Sequence, residues 1–373
     1  LKFLDPYEFK NNNYLSHIYK ERKYFSKDEL IYIKKNQNKN IYFFVFDGMT
    51  SLDEYKKYIS NKTTEIKKIK KFYTEKNYTY IDNSYSNYDF TTASFGSMLQ
   101  MQPLYTQGLT RSNKLYKDQL YPSVLSKFTF DNNKHPNLIY NLYKLNYNFI
   151  WLGNSVGCEI YNPPTCINYD SLNKVSSFFN WYILQSFFAN TPLNQIYNIA
   201  FTKLFKKKNI DHASKNNDKF DFTDDFLKNH HSKKNSNKKN YFYLIHNLFP
   251  KGIFAYDDNC EASLRTNVKL KFYLNNYNCA LNIIKKIIVF LEKKDPEALV
   301  IFQSDHGVIY KKKTEDADHE YEKKKIFNLI KVPKKCREML NNNLDNINTV
   351  RLALSCATNT KPKLLERKNL QPL

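Results

Sequence analysis

Two apolar segments of this sequence lead into residues that could bind a metal ion. Asp47 follows the run Ile41–Phe46, and Asp305 and His306 follow a second run, Ala298–Gln303. Because sites in open α/β sheets form at the carboxyl ends of strands, we expect these three side chains to meet at one edge. Two carboxylates and an imidazole suit Zn²⁺ or Mn²⁺, and Mg²⁺ less well. An Asp-Gly pair alone usually marks a turn, so the Asp-His-Gly sequence is the more specific signal.

A candidate nucleophile, Thr91, stands at the start of a helical pattern. The segment SNYDFTTASFGSMLQ, which begins at Ser86, is polar first and then has helical spacing. As a helix cap, Thr91 would satisfy a backbone amide. As a nucleophile, its alkoxide would be stabilised by the helix N-terminus and by a nearby metal ion. The segment by itself leaves both interpretations open.

Apolar runs of strand length alternate with helical patterns along the chain. The predicted strands are Ile41–Phe46, Tyr147–Leu152, Tyr241–Ile245 and Ala298–Gln303, and the predicted helices are 51–73, 91–101, Asn137–Leu145, Trp181–Phe205 and Tyr273–Glu292. Continuous apolar runs are typical of strands buried on both faces. The alternation therefore predicts an α/β fold with a doubly wound, mostly parallel sheet flanked by helices. The third predicted strand leads into His246, a further polar group at a strand end.

The chain is predicted to contain one domain, from about residue 40 to residue 373. Residues 1–39 are rich in Tyr, Lys and Asn without a clear period, which suggests a lead-in or juxtamembrane linker. Residues 206–240 are polar and aperiodic, which predicts a long surface insertion. Because no apolar stretch approaches about 18 residues, we expect any membrane anchor or export signal to lie upstream of this chain.

The net charge of +22 invites a nucleic-acid interpretation. However, the lysines are scattered, and Lys, Asn, Ile, Tyr and Phe are over-used together while glycines number only 7. A base-composition bias in the coding DNA produces this pattern. We therefore expect a solvated basic surface and no nucleic-acid partner, while an attraction for anionic lipid or a phosphorylated substrate stays open.

The order of the motifs resembles the sulfatase-like family of the alkaline phosphatase superfamily. A strand with Asp-Gly, then SNYxxTxxS, then a strand ending in His, then QSDHG lie within about Ile41–Leu370. The resemblance includes catalytic domains of bacterial membrane-anchored proteins, with phosphoethanolamine and phosphoglycerol transferases among the relatives. It implies an alkaline phosphatase-like fold and one divalent metal ion held by Asp47, Thr91, Asp305 and His306.

The resemblance also implies a function and a location. Thr91 would attack phosphorus or sulfur, which makes the chain a hydrolase or transferase of phosphoester or sulfate ester groups. Its substrate would be a cell-envelope glycan or lipid, at the periplasmic face of the inner membrane. Tyr88, His246 and Lys251 are the expected substrate contacts. The alternative is a catalytically degenerate domain that keeps the fold and binds a glycan or partner.

Departures from the family pattern bear on these expectations. Relatives have Pro-His-x-Pro after the strand ending in His, whereas here Lys251 takes the place of that histidine. We therefore do not expect a second metal, and Lys251 would contact the substrate anion as a point charge. Without a Cys-x-Pro-Ser-Arg segment the formylglycine route is unsupported. His319 is a further possible ligand, although its charged surroundings favour a surface loop.

The six cysteines form three couples that are close in sequence: Cys158/Cys166, Cys260/Cys279 and Cys336/Cys356. There is no CxxC zinc pattern, and the spacing alone leaves six free buried thiols as an alternative. The extracytoplasmic resemblance favours disulfides within these couples, because disulfides persist in oxidising compartments.

Overall fold

The computed structural model describes residues 24–35, 39–58, 63–103, 136–153, 165–168, 240–251, 256–257, 260, 269–308, 323–340 and 344–366. Several predictions lie outside these residues: the insertion 206–240 except for Asn240, the helix Trp181–Phe205, and the roles of Cys158 and His319.

Seven strands form one sheet in the described part of the chain. They are β1 (Ile41–Asp47), β2 (Thr79–Tyr80), β3 (Tyr147–Gly153), β4 (Cys166–Asn168), β5 (Asn240–Pro250), β6 (Leu299–Ser304) and β7 (Asn328–Lys331). Their order across the sheet is β2-β7-β6-β1-β5-β3-β4. β1 pairs in parallel with β5 and β6, and β3 pairs in parallel with β5 and β4. The β7 strand runs antiparallel to both β6 and β2, so the sheet is mostly parallel, as predicted.

Helices cover both faces of the sheet. They are α1 (Lys27–Lys35), α2 (Leu52–Tyr58), α3 (Thr63–Glu75), α4 (Thr91–Gln100), α5 (Asn137–Lys144), α6 (Lys269–Lys294), α7 (Lys334–Arg337) and α8 (Asn346–Ala357). The side chains of β1 alternate between two apolar cores. Phe44 and Phe46 join the core beneath α2, α3 and α6, whereas Phe43 and Val45 join the core beneath α4, α5 and α8. This arrangement confirms the predicted doubly wound α/β fold.

The four predicted strands are all present, and the differences lie at their ends and in the short elements. β5 extends five residues beyond Ile245, to Pro250. The predicted helix 51–73 corresponds to two helices, α2 and α3. β2, β4 and β7 were not predicted, because strands of two to four residues are too short to show a hydrophobic period.

The structure confirms two of the predicted disulfides. Cys260 and Cys279 are bonded with an S–S distance of 2.26 Å, and Cys336 and Cys356 with one of 2.10 Å. Cys166 is also in a disulfide. Among the described helices, none has the length and apolar character needed to span a bilayer.

Candidate metal centre

The neighbouring parallel strands β1 and β6 bring the three predicted ligands to one edge of the sheet. Phe46 pairs with Ser304, so Asp47 and Asp305 leave the sheet side by side. One ligand atom from each of Asp47, Asp305 and His306 lies within 4.8 Å of the others. His306 Nε2 is 3.4 Å from Asp47 Oδ1 and 3.7 Å from Asp305 Oδ2.

Backbone contacts fix the direction of Asp305 and His306. Asp305 Oδ1 accepts hydrogen bonds from the amides of Gly48 (3.0 Å) and His306 (2.8 Å), which turns Oδ2 toward the cluster. His306 Nδ1 lies 2.8 Å from the carbonyl oxygen of Gly307. Because a carbonyl can only accept, Nδ1 carries the proton and the lone pair of Nε2 faces Asp47.

Two carboxylate oxygens of this cluster have unmet bonding capacity. Asp47 Oδ1 and Asp305 Oδ2 are buried and have no hydrogen-bond partner among the described residues. Buried unpaired acceptors are costly, and a bound cation removes that cost. Two orphaned carboxylate oxygens beside an imidazole nitrogen therefore fit a divalent metal ion.

Thr91 approaches the cluster as the first residue of α4. Its Oγ1 lies 3.4 Å from His306 Nε2. The N-cap position belongs to Phe90, whose side chain makes no capping hydrogen bond, so Thr91 is in the first turn and does not cap the helix. The N-terminal end of α4 thus faces the cluster, where its dipole favours negative charge.

A hydrogen-bond network ties the Thr91 segment to the strand that carries Asp305. Ser86 Oγ lies 2.5 Å from the carbonyl oxygen of Asp305 and 2.9 Å from Ser94 Oγ, and it accepts from Asn346 Nδ2 at 3.1 Å. Ser86 and Ser94 are the two serines of the SNYxxTxxS motif, so the motif contains a signal for this positioning role that the sequence analysis did not use. Asn346, on α8, was missed because nothing in the local sequence links it to the site.

Lys251 directs its ammonium into the same cluster. Nζ lies 3.1 Å from His306 Nε2 and 3.5 Å from Asp47 Oδ1. Gly48 leaves room for the lysine stem, because a Cβ at this position would lie only 2.7 Å from Lys251 Cβ and Cδ. Its φ of +67° also favours glycine.

The other two expected substrate contacts, His246 and Tyr88, are buried. His246 is 5% exposed, and its ring meets Phe95 of α4 edge-on at 4.6 Å. Neither of its ring nitrogens has a hydrogen-bond partner within the described part of the chain. Tyr88 is 3% exposed, and its carbonyl oxygen lies 2.5 Å from Ser86 Oγ. Both residues lie close to the cluster but beneath the surface.

Burial and charge act in opposite directions on the pKa values of the site. Burial opposes ionisation of Asp47, but the neighbouring His306 side chain and the charge of Lys251 hold the pKa of this carboxyl below its ordinary value. Burial would lower the pKa of His306, but the carboxylates of Asp305 and Asp47 raise it. Burial lowers the pKa of His246 despite the same two carboxylates, so this imidazole is neutral. The site thus combines an ionised Asp47 with a neutral, buried His246.

Neither a protein-family model nor a curated protein matches the sequence. Solved structures do match. The lipoteichoic acid synthase LtaP from Listeria monocytogenes is 12% identical, with a TM-score of 0.50 over 94% of this chain and 79% of that chain. The integral membrane protein lipooligosaccharide phosphoethanolamine transferase A from Neisseria meningitidis is 14% identical, with a TM-score of 0.48 over 90% of this chain. The present chain spans 57% of that protein's length.

A third match is the C-terminal periplasmic domain of EcEptC from Escherichia coli, in complex with Zn. It is 11% identical, with a TM-score of 0.46 over 87% of this chain and 84% of that one. The match to the lipoteichoic acid synthase, at 12% identity and a TM-score of 0.50, bears on the fold alone. The chain has the alkaline phosphatase-like fold of sulfatase-like proteins, as the motif order predicted.

Proposed function

We propose that this chain is a metal-dependent transferase or hydrolase of phosphoester or sulfate ester groups, with Thr91 as nucleophile. One observation carries the proposal. The orphaned oxygens of Asp47 and Asp305, the Nε2 atom of His306 and the Thr91 hydroxyl converge at one edge of the sheet. Buried acceptors without partners next to a hydroxyl at a helix N-terminus suit a metal ion that activates that hydroxyl.

Asp47, Thr91, Asp305 and His306 would hold one Zn²⁺, Mn²⁺ or Mg²⁺ ion. When bound, such an ion lowers the pKa of a coordinated hydroxyl and neutralises charge on ester oxygens. The N-terminal end of α4 adds a positive dipole at the place where the Thr91 alkoxide and the ester anion meet.

The proposed reaction has two steps. Thr91 Oγ1 loses its proton and bonds to phosphorus or sulfur, while the bond to the leaving alcohol breaks and that alcohol gains a proton. The oxygen of water or of an acceptor hydroxyl then bonds to the same centre and loses its proton, while the bond to Thr91 Oγ1 breaks and Thr91 regains a proton. Lys251 would contact the ester oxygens as a fixed positive charge. Tyr88 and His246 are proposed as further substrate contacts, from beneath the first turn of α4.

We further propose that the ester belongs to a cell-envelope glycan or lipid and that the domain is extracytoplasmic, anchored to the membrane by a segment outside this chain. The disulfides Cys260–Cys279 and Cys336–Cys356 support an oxidising compartment. A lipoteichoic acid synthase shares the fold, which makes envelope lipids and glycans the first substrates to test.

Intact-mass spectrometry tests the proposal directly. The purified chain, loaded with Zn²⁺ or Mn²⁺, is incubated with lipid and glycan phosphoesters and sulfate esters. We expect a covalent adduct that peptide mapping places on Thr91, and no adduct in Thr91→Ala or in the metal-stripped protein. Thr91→Ser is the matched variant that should still form it.

The alternative, a degenerate domain, makes the opposite prediction. Such a domain would form no adduct with any of these esters and would bind no stoichiometric metal that depends on Asp305. That pair of results would end the enzyme proposal and leave binding of a glycan or partner as the function to pursue.

A further inference from the structure

The side chain of Lys251 contacts the same atoms that the ligand cluster offers to a metal. Its ammonium donates toward the lone pair of His306 Nε2 at 3.1 Å and lies 3.5 Å from Asp47 Oδ1. These are two of the atoms through which His306 and Asp47 would bind a divalent ion. Lys251 is therefore placed within the ligand cluster itself.

Two hydrogen bonds hold the peptide bond between Pro250 and Lys251 next to the cluster. The Lys251 amide donates to the carbonyl oxygen of Asp47 at 3.1 Å, which keeps the two residues adjacent. The carbonyl oxygen of Pro250 accepts from Asn276 Nδ2 at 3.0 Å, which ties the end of β5 to α6. The lysine stem then passes over Gly48, where any Cβ would collide with it. The backbone of Lys251 is thus held beside Asp47, and its side chain, 43% exposed, reaches the cluster from there.

The ammonium and a divalent ion cannot use these atoms together. Zinc sits about 2.0–2.2 Å from nitrogen and oxygen ligands, so an ion there would take the Nε2 lone pair to which Lys251 donates. Two cations at such close range also repel each other. Entry of the metal thus requires the ammonium to leave Asp47 and His306.

We infer that Lys251 is a built-in competitor of the metal ion: it neutralises the ligand cluster and weakens the affinity of that cluster for divalent cations. The inference rests on the metal site proposed above. It gives Lys251 a role before any substrate arrives, because the side chain compensates the Asp47 carboxylate and sets how tightly the metal is held.

Metal titration of the purified chain tests the inference without any activity assay. Zn²⁺ or Mn²⁺ is titrated calorimetrically into chelator-stripped wild type and Lys251→Met, which keeps the apolar stem and removes the charge. We expect the metal dissociation constant of Lys251→Met to be lower than that of wild type by about tenfold or more. A factor of ten corresponds to about 1.4 kcal/mol of binding free energy. Lys68→Met, an exposed lysine on α3 with the same change in net charge, should stay within about twofold of wild type.

A second measurement separates competition from general loosening of the site. Without metal, Lys251→Met should melt below wild type, because Asp47 loses its compensating charge; with saturating metal it should gain more in melting temperature than wild type does. Lys251→Gln, which keeps a hydrogen-bond donor but no charge, serves if the Met variant fails to fold.

The outcomes discriminate between the two proposals. If wild type binds one metal that Asp305→Asn abolishes, yet Lys251→Met binds it equally or more weakly, the competitor role is wrong and the metal site stands. If the Met variant binds metal and wild type does not, competition is complete and the inference holds. Absence of binding in every variant would overturn both.

Discussion

Buried carboxylates lie near both ends of β1, and they differ in whether their oxygens have hydrogen-bond donors. At the amino end, Asp295 Oδ2 accepts from Asn40 Nδ2 at 2.6 Å and from the Tyr42 hydroxyl at 3.2 Å. At the carboxyl end, Asp47 Oδ1 and Asp305 Oδ2 have no hydrogen-bond partner among the described residues. One end thus pairs its carboxylate with neutral donors. At the other end the Lys251 ammonium lies 3.5 Å from Asp47 Oδ1, and Asp305 Oδ2 stays a buried acceptor that costs stability until a cation binds it.

The difference follows from the direction of the strands. In a parallel α/β sheet the helices that follow the strands point their N-termini toward the carboxyl edge, where anions and metal-bound groups can be held. Here α4 begins at that edge with Thr91, and Lys251 adds its ammonium there. At the amino edge the Asn40 amide and the Tyr42 hydroxyl donate to Asp295, so this carboxylate has a structural role.

Asp305→Asn should show the largest effect, and Asp295→Asn at the other end of the sheet is its matched control. We expect the Asp305 variant to lose its metal and on the order of 10³-fold or more in ester turnover, because a ligand and its charge are gone. Elemental analysis and turnover measure this. Asp295→Asn should keep both. Equal metal loss in the two variants would erase the distinction between the ends.

The stability of the same variants sharpens the contrast. Metal-free Asp305→Asn should melt above metal-free wild type, because a buried carboxylate without a partner is replaced by a neutral group. Asp295→Asn should melt below wild type, because the Asn40 and Tyr42 donors lose a charged acceptor. A melting point for the Asp305 variant below that of wild type would show that its carboxylate is compensated after all.

Asp345→Asn should alter how stability depends on pH. Asp345 caps α8 by accepting from the Asn348 amide at 2.9 Å, and burial raises its pKa from 3.8 to about 6. The contribution of a group with a raised pKa is fully present below about pH 3.8 and is lost as pH rises through about 6. Since asparagine is also a good cap, the variant should remove this loss, which amounts to about 3 kcal/mol.

Urea unfolding at several pH values between 4 and 7 measures this difference. The quantity of interest is the free energy of unfolding of wild type minus that of Asp345→Asn, which should fall across the window. A constant difference would show that the Asp345 carboxyl does not titrate there.

Gly48→Ala should destabilise the carboxyl end. Its φ of +67° costs an alanine about 1–2 kcal/mol, and its Cβ would also press on the Lys251 stem. We expect a loss at the upper end of that range in urea unfolding, together with altered metal affinity as the lysine shifts. Asn77→Ala, at φ 61° with no such lysine, should lose about 1 kcal/mol or less. Equal losses at the two positions would exclude a steric contribution from Lys251.

Tyr42→Phe, at the amino end, should give the smallest effect. It removes one hydrogen bond to Asp295, worth about 1 kcal/mol in the free energy of unfolding. Metal content and turnover should match wild type, since the contact lies at the far end of β1. A change in metal affinity would show that the two ends are coupled through the strand.

Several features of this protein could be predicted from local sequence. Runs such as Ile41–Phe46 indicate buried strands because every side chain in them is apolar, and the acidic residue that follows marks a strand end. The polar-to-helical change near Thr91 indicates the start of a helix, and the structure then places Thr91 in its first turn, with Phe90 as the N-cap. The short strand β7 and the extension of β5 could not be predicted, because four or five residues carry no readable period.

The sequence by itself determined which residues stand at strand ends and at the start of α4, because backbone propensity and hydrophobic period act over a few neighbours. Only the tertiary structure decided that β1 lies beside β6. The hydrogen bond between Gly48 and Asp305, at the ends of these strands, joins residues that are 257 positions apart in the sequence. It also decided that the ammonium of Lys251 reaches His306, and that Asp295 is satisfied while Asp305 is not. These outcomes depend on contacts between distant segments, and whether a buried polar atom finds a partner is settled only when those segments pack together.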